Sequence, residues 1–388
     1  MTLEFAQSPR STIGVEWELA LVDVDNGDMR QTAPSVFDAL AKDGEPHPHI
    51  HPELMQNTVE LVSDVETTVR DAMTDLRSAA QEVRVVTDPM RADLMCAGTH
   101  PFAAWQRQKI TQGPRYETVM ERAQIWGRQL LIFGVHVHVG VDSRDKVLPL
   151  VRALLTYLPH LQALSASSPF FDGKDTGFAS NRAQLFQQLP TAGLPYQFEE
   201  WSELEQYVDD MVNTGVIERF KDLRWDIRPS PHFGTIEIRV CDGLTNLAEL
   251  AAITALIQCL VDYLSGMMDR GETLPSMQTW FISENKWCAS RYGLDAKIIL
   301  DSAGKRGPVR DAIRHLVSVL MPTAERLDCA EELASVLDIL EVGASYQRQR
   351  DVYNQARAAG ESDYAAMEAV VVHLRKEMRA DKPLPVGA

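Results

Sequence analysis

The sequence predicts an α+β protein: a sheet with one apolar and one charged face, backed by helices. Three observations lead there. Strand-type alternation is confined to the first 245 of the 388 residues, helical periodicity takes over from residue 246, and no linker or internal repeat divides the two stretches. A length prior of about 150 residues per domain would allow two or three domains. Without a linker, one domain is the expectation, with 11–245 forming the sheet and 246–380 a mainly helical layer.

In chain order, the first strand is Ile13-Gly-Val-Glu-Trp-Glu-Leu19. Side chains of a strand alternate faces, so Ile13, Val15, Trp17 and Leu19 share one side while Gly14, Glu16 and Glu18 share the other. Asn57-Thr-Val-Glu-Leu61 sets Thr58 and Glu60 opposite Val59 and Leu61, and 69–86 has helical periodicity. Gly134-Val-His-Val-His-Val-Gly140 sets His136 and His138 opposite three valines. The stretch 165–196 shows neither period, and its Ser, Gly, Asp and Pro content reads as a long loop, functional or a lid. Leu223-Arg-Trp-Asp-Ile-Arg228 sets Arg224, Asp226 and Arg228 opposite Leu223, Trp225 and Ile227. Ile236-Glu-Ile-Arg-Val240 sets Glu237 and Arg239 opposite three aliphatics. Helices follow at 247–268, 308–321, 330–342 and 362–379, punctuated by Gly271, the Lys305-Arg306-Gly307-Pro308 turn and Gly360.

Composition narrows the function. The net charge is −17, from 38 basic against 55 acidic residues, which argues against coating nucleic acid or an anionic membrane. An acidic protein that handles a nucleotide is expected to do so through metal ions. The five cysteines, Cys96, Cys241, Cys259, Cys288 and Cys329, form no CxxC or zinc-knuckle spacing and read as reduced thiols. The first ten residues carry Glu4 and no apolar core of a signal peptide. The mostly apolar run 250–261 is too short to span a membrane. A soluble, cytoplasmic protein is expected.

The polar strand faces carry the chemistry. Any one of them could simply be solvated, as on many antiparallel sheets. Solvated faces favour Lys, Thr, Ser and Gln, however, and these carry Glu, His, Asp and Arg beside small glycines. Glycine weakens a strand unless something must approach closely. Clustered carboxylates repel one another unless cations neutralise them. Oxygen ligands with one imidazole suit Mg²⁺ or Mn²⁺ held jointly with phosphates, whereas the His-x-His pair alone also admits zinc or a structural role. Arg228 and Arg239 favour an anionic substrate, because guanidinium grips carboxylate or phosphate with two parallel bonds. Metal plus arginine is the equipment of phosphoryl transfer. No Walker A or GxGxxG motif occurs, so a nucleotide would not sit in a P-loop or Rossmann site.

At these residues the sequence resembles the glutamate–cysteine ligase type 2 family, and within it the bacterial carboxylate–amine ligases. The resemblance lies in Gly14-Val-Glu-Trp-Glu-Leu, Glu53-Leu-Met-Gln-Asn-Thr-Val-Glu60, the His136/His138 strand and Gly234-Thr-Ile-Glu-Ile-Arg-Val-Cys-Asp242. Two further stretches fit, 165–182 and Glu284-Asn-Lys-Trp-Cys-Ala-Ser-Arg-Tyr-Gly293, so the match runs from about residue 11 to 375. It implies a glutamine synthetase-like fold, a curved and mainly antiparallel sheet forming a funnel with helices outside. It also implies an ATP-dependent ligase that phosphorylates a γ-carboxylate and lets an amine displace the phosphate, with glutamate and cysteine as the default pair.

Carried over motif by motif, Glu16, Glu18, Glu60 and Glu237 would hold Mg²⁺, with His136 a further ligand or phosphate contact. Arg239 would stabilise the transferring phosphoryl group beside Glu237. His136, His138, Lys174 and Arg182 would face the nucleotide, Arg228 a substrate carboxylate and Glu53 the substrate amine. Asn285, Lys286 and Arg291 are weaker candidates at the start of a helix. Small-molecule substrates are the expected partners, and a homodimer is implied by the family alone. Two other readings stay open: a metal-dependent hydrolase built on His136 and His138, and a nucleotide-binding relative without turnover.

Overall fold

The computed structural model describes residues 3–386. Its main sheet has seven strands: β1 (Ile13–Asp23), β2 (Ile50–Pro52), β3 (Thr58–Val62), β4 (Ala92–Met95), β5 (Val135–Gly140), β6 (Ile227–Ser230) and β7 (Thr235–Ile238). The order is β6-β7-β5-β1-β3-β2, every pairing is antiparallel, and β4 joins the far half of β1.

The alternation read from the sequence holds where it shapes the site. Ile13, Val15, Trp17 and Leu19 are buried against β3, β5 and β7 aliphatics and two helices, Val69–Thr87 and Leu247–Asp269. Each such side chain contributes about 1.5–3 kcal/mol by leaving water. The Trp17 indole N–H donates to the Leu244 carbonyl at 3.0 Å, so the largest core side chain leaves no donor orphaned. The other face of β1 changes character along its length. Glu16 and Glu18 face a cavity, whereas Ala20 and Val22 enter a second core with Met95, Phe133 and the helix Asp363–Ala380. That second core closes one end of the polar face and turns a flat sheet into the floor of a recess.

The helix Leu247–Asp269 begins at Asn246, whose side chain accepts from the Glu249 N–H. It is the one helix among the described residues long and apolar enough to cross a membrane, but 83% of its apolar window is buried inside the protein. The other expected helices are present, with 330–342 broken at Ser335 into Ala330–Ala334 and Val336–Val342.

Several readings need correction. The stretch 223–228 is not one strand. Arg224–Trp225 pairs in parallel with Ala192–Gly193, Asp226 bends between the two pairings, and β6 starts at Ile227. The stretch 165–196 is no free loop either. It holds the end of the helix Leu158–Ser165, a hairpin of Phe170–Phe171 with Lys174–Asp175, and the helix Asn181–Phe186. Buried Asp242 ties it down, accepting from Ser167 N–H at 3.0 Å and from the Ser168 and Ser180 hydroxyls at 2.7 Å each.

The helix Ser345–Ala358 escaped the periodicity because its buried face is polar: Ser345, Tyr346, Arg348 and Gln349. Arg348 spans Glu249 (2.8 and 2.9 Å) and Glu377 (2.7 and 3.0 Å), all three residues buried. Burial alone would raise Glu377, but His373 and Arg348 hold its carboxyl down to about 2. Arg348→Met would leave both carboxylates without their shared cation. It is expected to cost about 3–5 kcal/mol in denaturant melts; a loss below about 1 kcal/mol would show that the network contributes little.

Candidate active site

Strand register assembles the site. Across the sheet, Glu18 stands opposite Glu60, Glu16 opposite His136, His138 opposite Glu237, and Glu237 opposite Arg228. Directly opposed residues have Cβ atoms about 4.5–5.5 Å apart. Four independent pairings therefore lay carboxylates, imidazoles and a guanidinium in one row. The row floors a cavity of about 880 Å³.

Within it, three groups of potential ligand atoms each lie within 4.8 Å of one another: Glu16–His138–Glu237, Glu16–Glu60–His136 and Glu18–Glu53–Glu60. His136 Nδ1 lies 2.7 Å from Glu16, and His138 Nδ1 lies 2.8 Å from the Thr235 hydroxyl, leaving His138 Nε2 toward Glu16 at 3.5 Å and Glu237 at 3.9 Å. Glu237 is 1% exposed and held by Arg228 (Nε 2.8 Å, Nη2 2.6 Å) and by Arg239 Nη1.

The electrostatics follow from this packing. Burial would raise Glu237, but Arg239 and Arg228 hold it down to about 2. Burial likewise opposes ionisation of Glu16, yet hydrogen bonds from His136 and His138 keep it well below the ordinary range. Burial and the nearby Arg239 push His136 down to about 4, so it is neutral at pH 7 and able to bind metal. Glu18 goes the other way. Burial and repulsion from Glu53 raise it to about 8, against the Arg182 charge and the Gly134 N–H, which donates at 2.5 Å. This carboxylate ionises at neutral pH only if a cation joins it.

Of the residues singled out in the sequence, Glu16, Glu18, Glu53, Glu60, His136, His138, Arg182, Arg228, Glu237 and Arg239 all line this cavity. Lys174 does not: it is exposed on the hairpin with Phe171 and is not brought to the site. Arg228 is there, but four of its five N–H groups are already engaged, by Glu237 and the Lys221 and Leu223 carbonyls. It holds Glu237 more than it awaits a substrate. Asn285, Lys286 and Arg291 lie within the helix Thr279–Tyr292, not at its start.

That helix braces the site from behind, which the sequence did not reveal. Lys286 meets Asp226 at 2.6 Å with both residues buried, and the Asp226 carbonyl accepts from the Arg239 N–H at 2.8 Å. The Ser290 carbonyl accepts from the Ala179 and Ser180 N–H groups, just before Arg182. Gly134 matters by absence: a Cβ there would stand 2.1 Å from Arg182 Nη2.

The donor set suits Mg²⁺ or Mn²⁺. Each group has at most one imidazole, and no group among the described residues brings His136 and His138 together as a two-histidine zinc site would. Arg182 and Arg239 each carry a buried Nε with no partner, which fits an anion such as a phosphate.

The sequence profile of glutamate–cysteine ligase family 2 matches residues 12–368, and the chain belongs to that family. It is 53% identical over 378 residues to a Leifsonia xyli subsp. xyli (strain CTCB07) protein described as "Putative glutamate–cysteine ligase 2", covering 97% of this chain and 98% of that one. A Mycobacterium ulcerans (strain Agy99) protein of the same description is 54% identical over 350 residues, covering 90% and 88%. Among solved structures, the Francisella tularensis glutamate–cysteine ligase in complex with AMP superposes with a TM-score of 0.67 at 12% identity, over 97% of this chain and 90% of that one. A bifunctional glutathione synthetase from Pasteurella multocida superposes at 0.66 and 15% identity, over 94% and 52%. The fold is thus the α+β, glutamine synthetase-like one, and the chain is a C–N ligase of the ATP-dependent carboxylate–amine type.

A divalent cation held by Glu18 would bind in a pH-dependent way. The fold stabilises its protonated form, a contribution complete below about pH 4.5 and lost as pH rises through about 8. A divalent cation must displace that proton. The rise in melting temperature on adding Mg²⁺ should therefore grow from pH 6 to pH 8.5, and calorimetry at pH 7 in buffers of different ionisation enthalpy should register proton release. A pH-independent Mg²⁺ effect would remove Glu18 from the ligand set.

Proposed function

We propose, from family membership and the row of ligands on the sheet, that this enzyme joins the γ-carboxylate of L-glutamate to an amine through an acyl phosphate, with L-cysteine the default amine. The observation that carries the reading is the adjacency of three carboxylate-rich groups to two arginines with unpartnered Nε atoms in one cavity. A carboxylate does not react with an amine in water, because its anion is a poor electrophile. Phosphorylation supplies a leaving group.

Glu16, Glu18, Glu60, Glu237 and His136 would hold Mg²⁺, and the geometry adds His138 and Glu53 to the same set. Divalent cations bound there would offset the repulsion between the ATP phosphates and the carboxylate they must meet. Arg239 and Arg182 aim guanidinium N–H groups at the transferring phosphoryl oxygens, where preorganised donors act most strongly. Arg228 fixes Glu237, so that the ligand carboxylate keeps its orientation through turnover. In the second step the amine lone pair attacks the acyl carbon, the C–N bond forms and the C–O bond to phosphorus breaks. Phosphate leaves as HPO₄²⁻ with the bonding pair and the proton given up by nitrogen.

The test is ADP release with Mg-ATP and glutamate, with and without cysteine, with products identified by mass. Release stimulated by both substrates together with a γ-glutamylcysteine mass is the expected result. ATP turnover that ignores glutamate would remove the proposed acid. Arg239→Lys should lower kcat by about 10²–10³, since a point ammonium cannot reproduce a planar fork. Near-native kcat in a folded Arg239→Lys protein would make Arg239 structural.

A further inference from the structure

We propose that the acceptor of this ligase is a primary amine on an apolar body, seated against the wall formed by Leu54, Val119, Leu130, Ile132, Phe186 and Leu189. The inference rests on the ligase reading above and deepens it by naming the class of amine. The cavity is chemically divided. On its β7 side stand Arg228, Arg239 and the β6–β7 turn, where the Phe233 ring is 58% exposed and meets His138 edge-on at 5.7 Å. That side offers cations to phosphates and an aromatic face to a nucleobase. On the β3 side stand Glu18, Glu53 and Glu60, and directly beside them the apolar wall.

The wall is continuous with the carboxylates through the chain itself. Leu54 follows Glu53. In 130–134 the side chains alternate: Leu131 and Phe133 point into the second core, while Leu130 and Ile132 face the cavity two residues from Gly134, whose N–H holds Glu18. Arg182 lies over the Phe186 ring at 5.5 Å and closes the wall on the phosphate side. An amine seated beside the Glu18–Glu53–Glu60 group, whose bound cation would hold the acyl phosphate, would therefore keep its nitrogen at the reacting centre and lay its carbon body on the wall.

Neither glutamate nor cysteine uses such a surface. Glutamate is polar at both ends, and cysteine presents a single CH₂–SH, too short to cover the half-buried Leu54, Val119 and Ile132 that lie over the buried Leu130, Phe186 and Leu189. Each CH₂ that the wall does cover is worth about fourfold in affinity. Past Val119 and Leu189 the space continues into a recess of about 510 Å³ that includes Ile217 and is rimmed by Arg122, Arg219 and Arg224 together with Glu218 and Asp222. That leaves room for a body much longer than cysteine's. The same chemistry could arrive as an apolar amino acid or as a simple apolar amine.

The test separates the pocket from the reaction. With Mg-ATP and glutamate, hydroxylamine needs no pocket, and γ-glutamyl hydroxamate reports the acyl phosphate alone. Phenethylamine, isopentylamine, L-phenylalanine, L-leucine and L-cysteine are then compared by kcat/KM. The expected result is hydroxamate formation, with at least one apolar acceptor exceeding cysteine tenfold or more; the paired compounds tell amino acid from simple amine. Val119→Asp should lower kcat/KM for the best apolar acceptor, relative to hydroxylamine, by at least tenfold. Hydroxamate formation with cysteine equal to or better than every apolar acceptor would overturn the proposal while leaving the ligase standing. A Val119→Asp change confined to KM for ATP would give the wall to the nucleobase and overturn it too. No hydroxamate at all would overturn the ligase reading, and the acceptor assignment with it.

Discussion

Five carboxylates, Glu16, Glu18, Glu53, Glu60 and Glu237, face one cavity, and their mutual repulsion is the constraint the surrounding structure answers. Three of them are answered differently. Glu237 is clamped by two guanidiniums and held down to about 2; Glu16 is held by imidazoles; Glu18, beside Glu53, is pushed up to about 8. The net effect is graded across the sheet. On the β7 side Arg228 and Arg239 close on Glu237, whereas on the β1–β3 side Glu18 stands beside Glu53 and Glu60.

This gradient explains why so much of the molecule behind the sheet is devoted to arginine placement. Arg239 is fixed through the Asp226 backbone, which is itself pinned by Lys286 from the helix Thr279–Tyr292. Arg182 is fixed by the Ser168 hydroxyl, which bonds its N–H, and by the Asp242 hub beneath it. A buried ion pair such as Lys286–Asp226 is weak evidence of net stability, because desolvation offsets most of the attraction. Its use here is geometric: Lys286 holds the Asp226 side chain while the Asp226 carbonyl takes the Arg239 N–H, which fixes where Arg239 leaves the sheet to meet Glu237.

The sheet was legible because period-two alternation is a local signal, and its buried side matches Ile13, Val15, Trp17 and Leu19 residue for residue. The shared face of Glu16, Glu18, Glu60, His136, His138 and Glu237 was legible for the same reason. What escaped was whatever depends on contacts distant in sequence. The polar face of Ser345–Ala358 shows no apolar stripe, because its core contact is Arg348 with two glutamates roughly a hundred and thirty residues apart. Lys174 and Arg182 looked alike as basic residues in one motif, yet a hairpin turned the first outward and Asp242 drew the second in. Nothing local distinguishes them.

The same reasoning bears on the loop reading of 165–196. Its serines and glycines suggested a functional loop or a lid, but Ser167, Ser168 and Ser180 are fully buried and their hydroxyls engage one carboxylate, one carbonyl and three amide groups. Small polar residues permit close backbone approach as readily as they permit disorder, and only the presence of a buried acceptor decides between them. Here the acceptor is Asp242, four residues beyond the last strand residue of the ligand row. The segment that carries Arg182 is thus held by the same chain that carries Glu237 and Arg239. Arg182, Arg239 and the Glu237 carboxylate are therefore held in one frame, as the proposed positioning of charge requires.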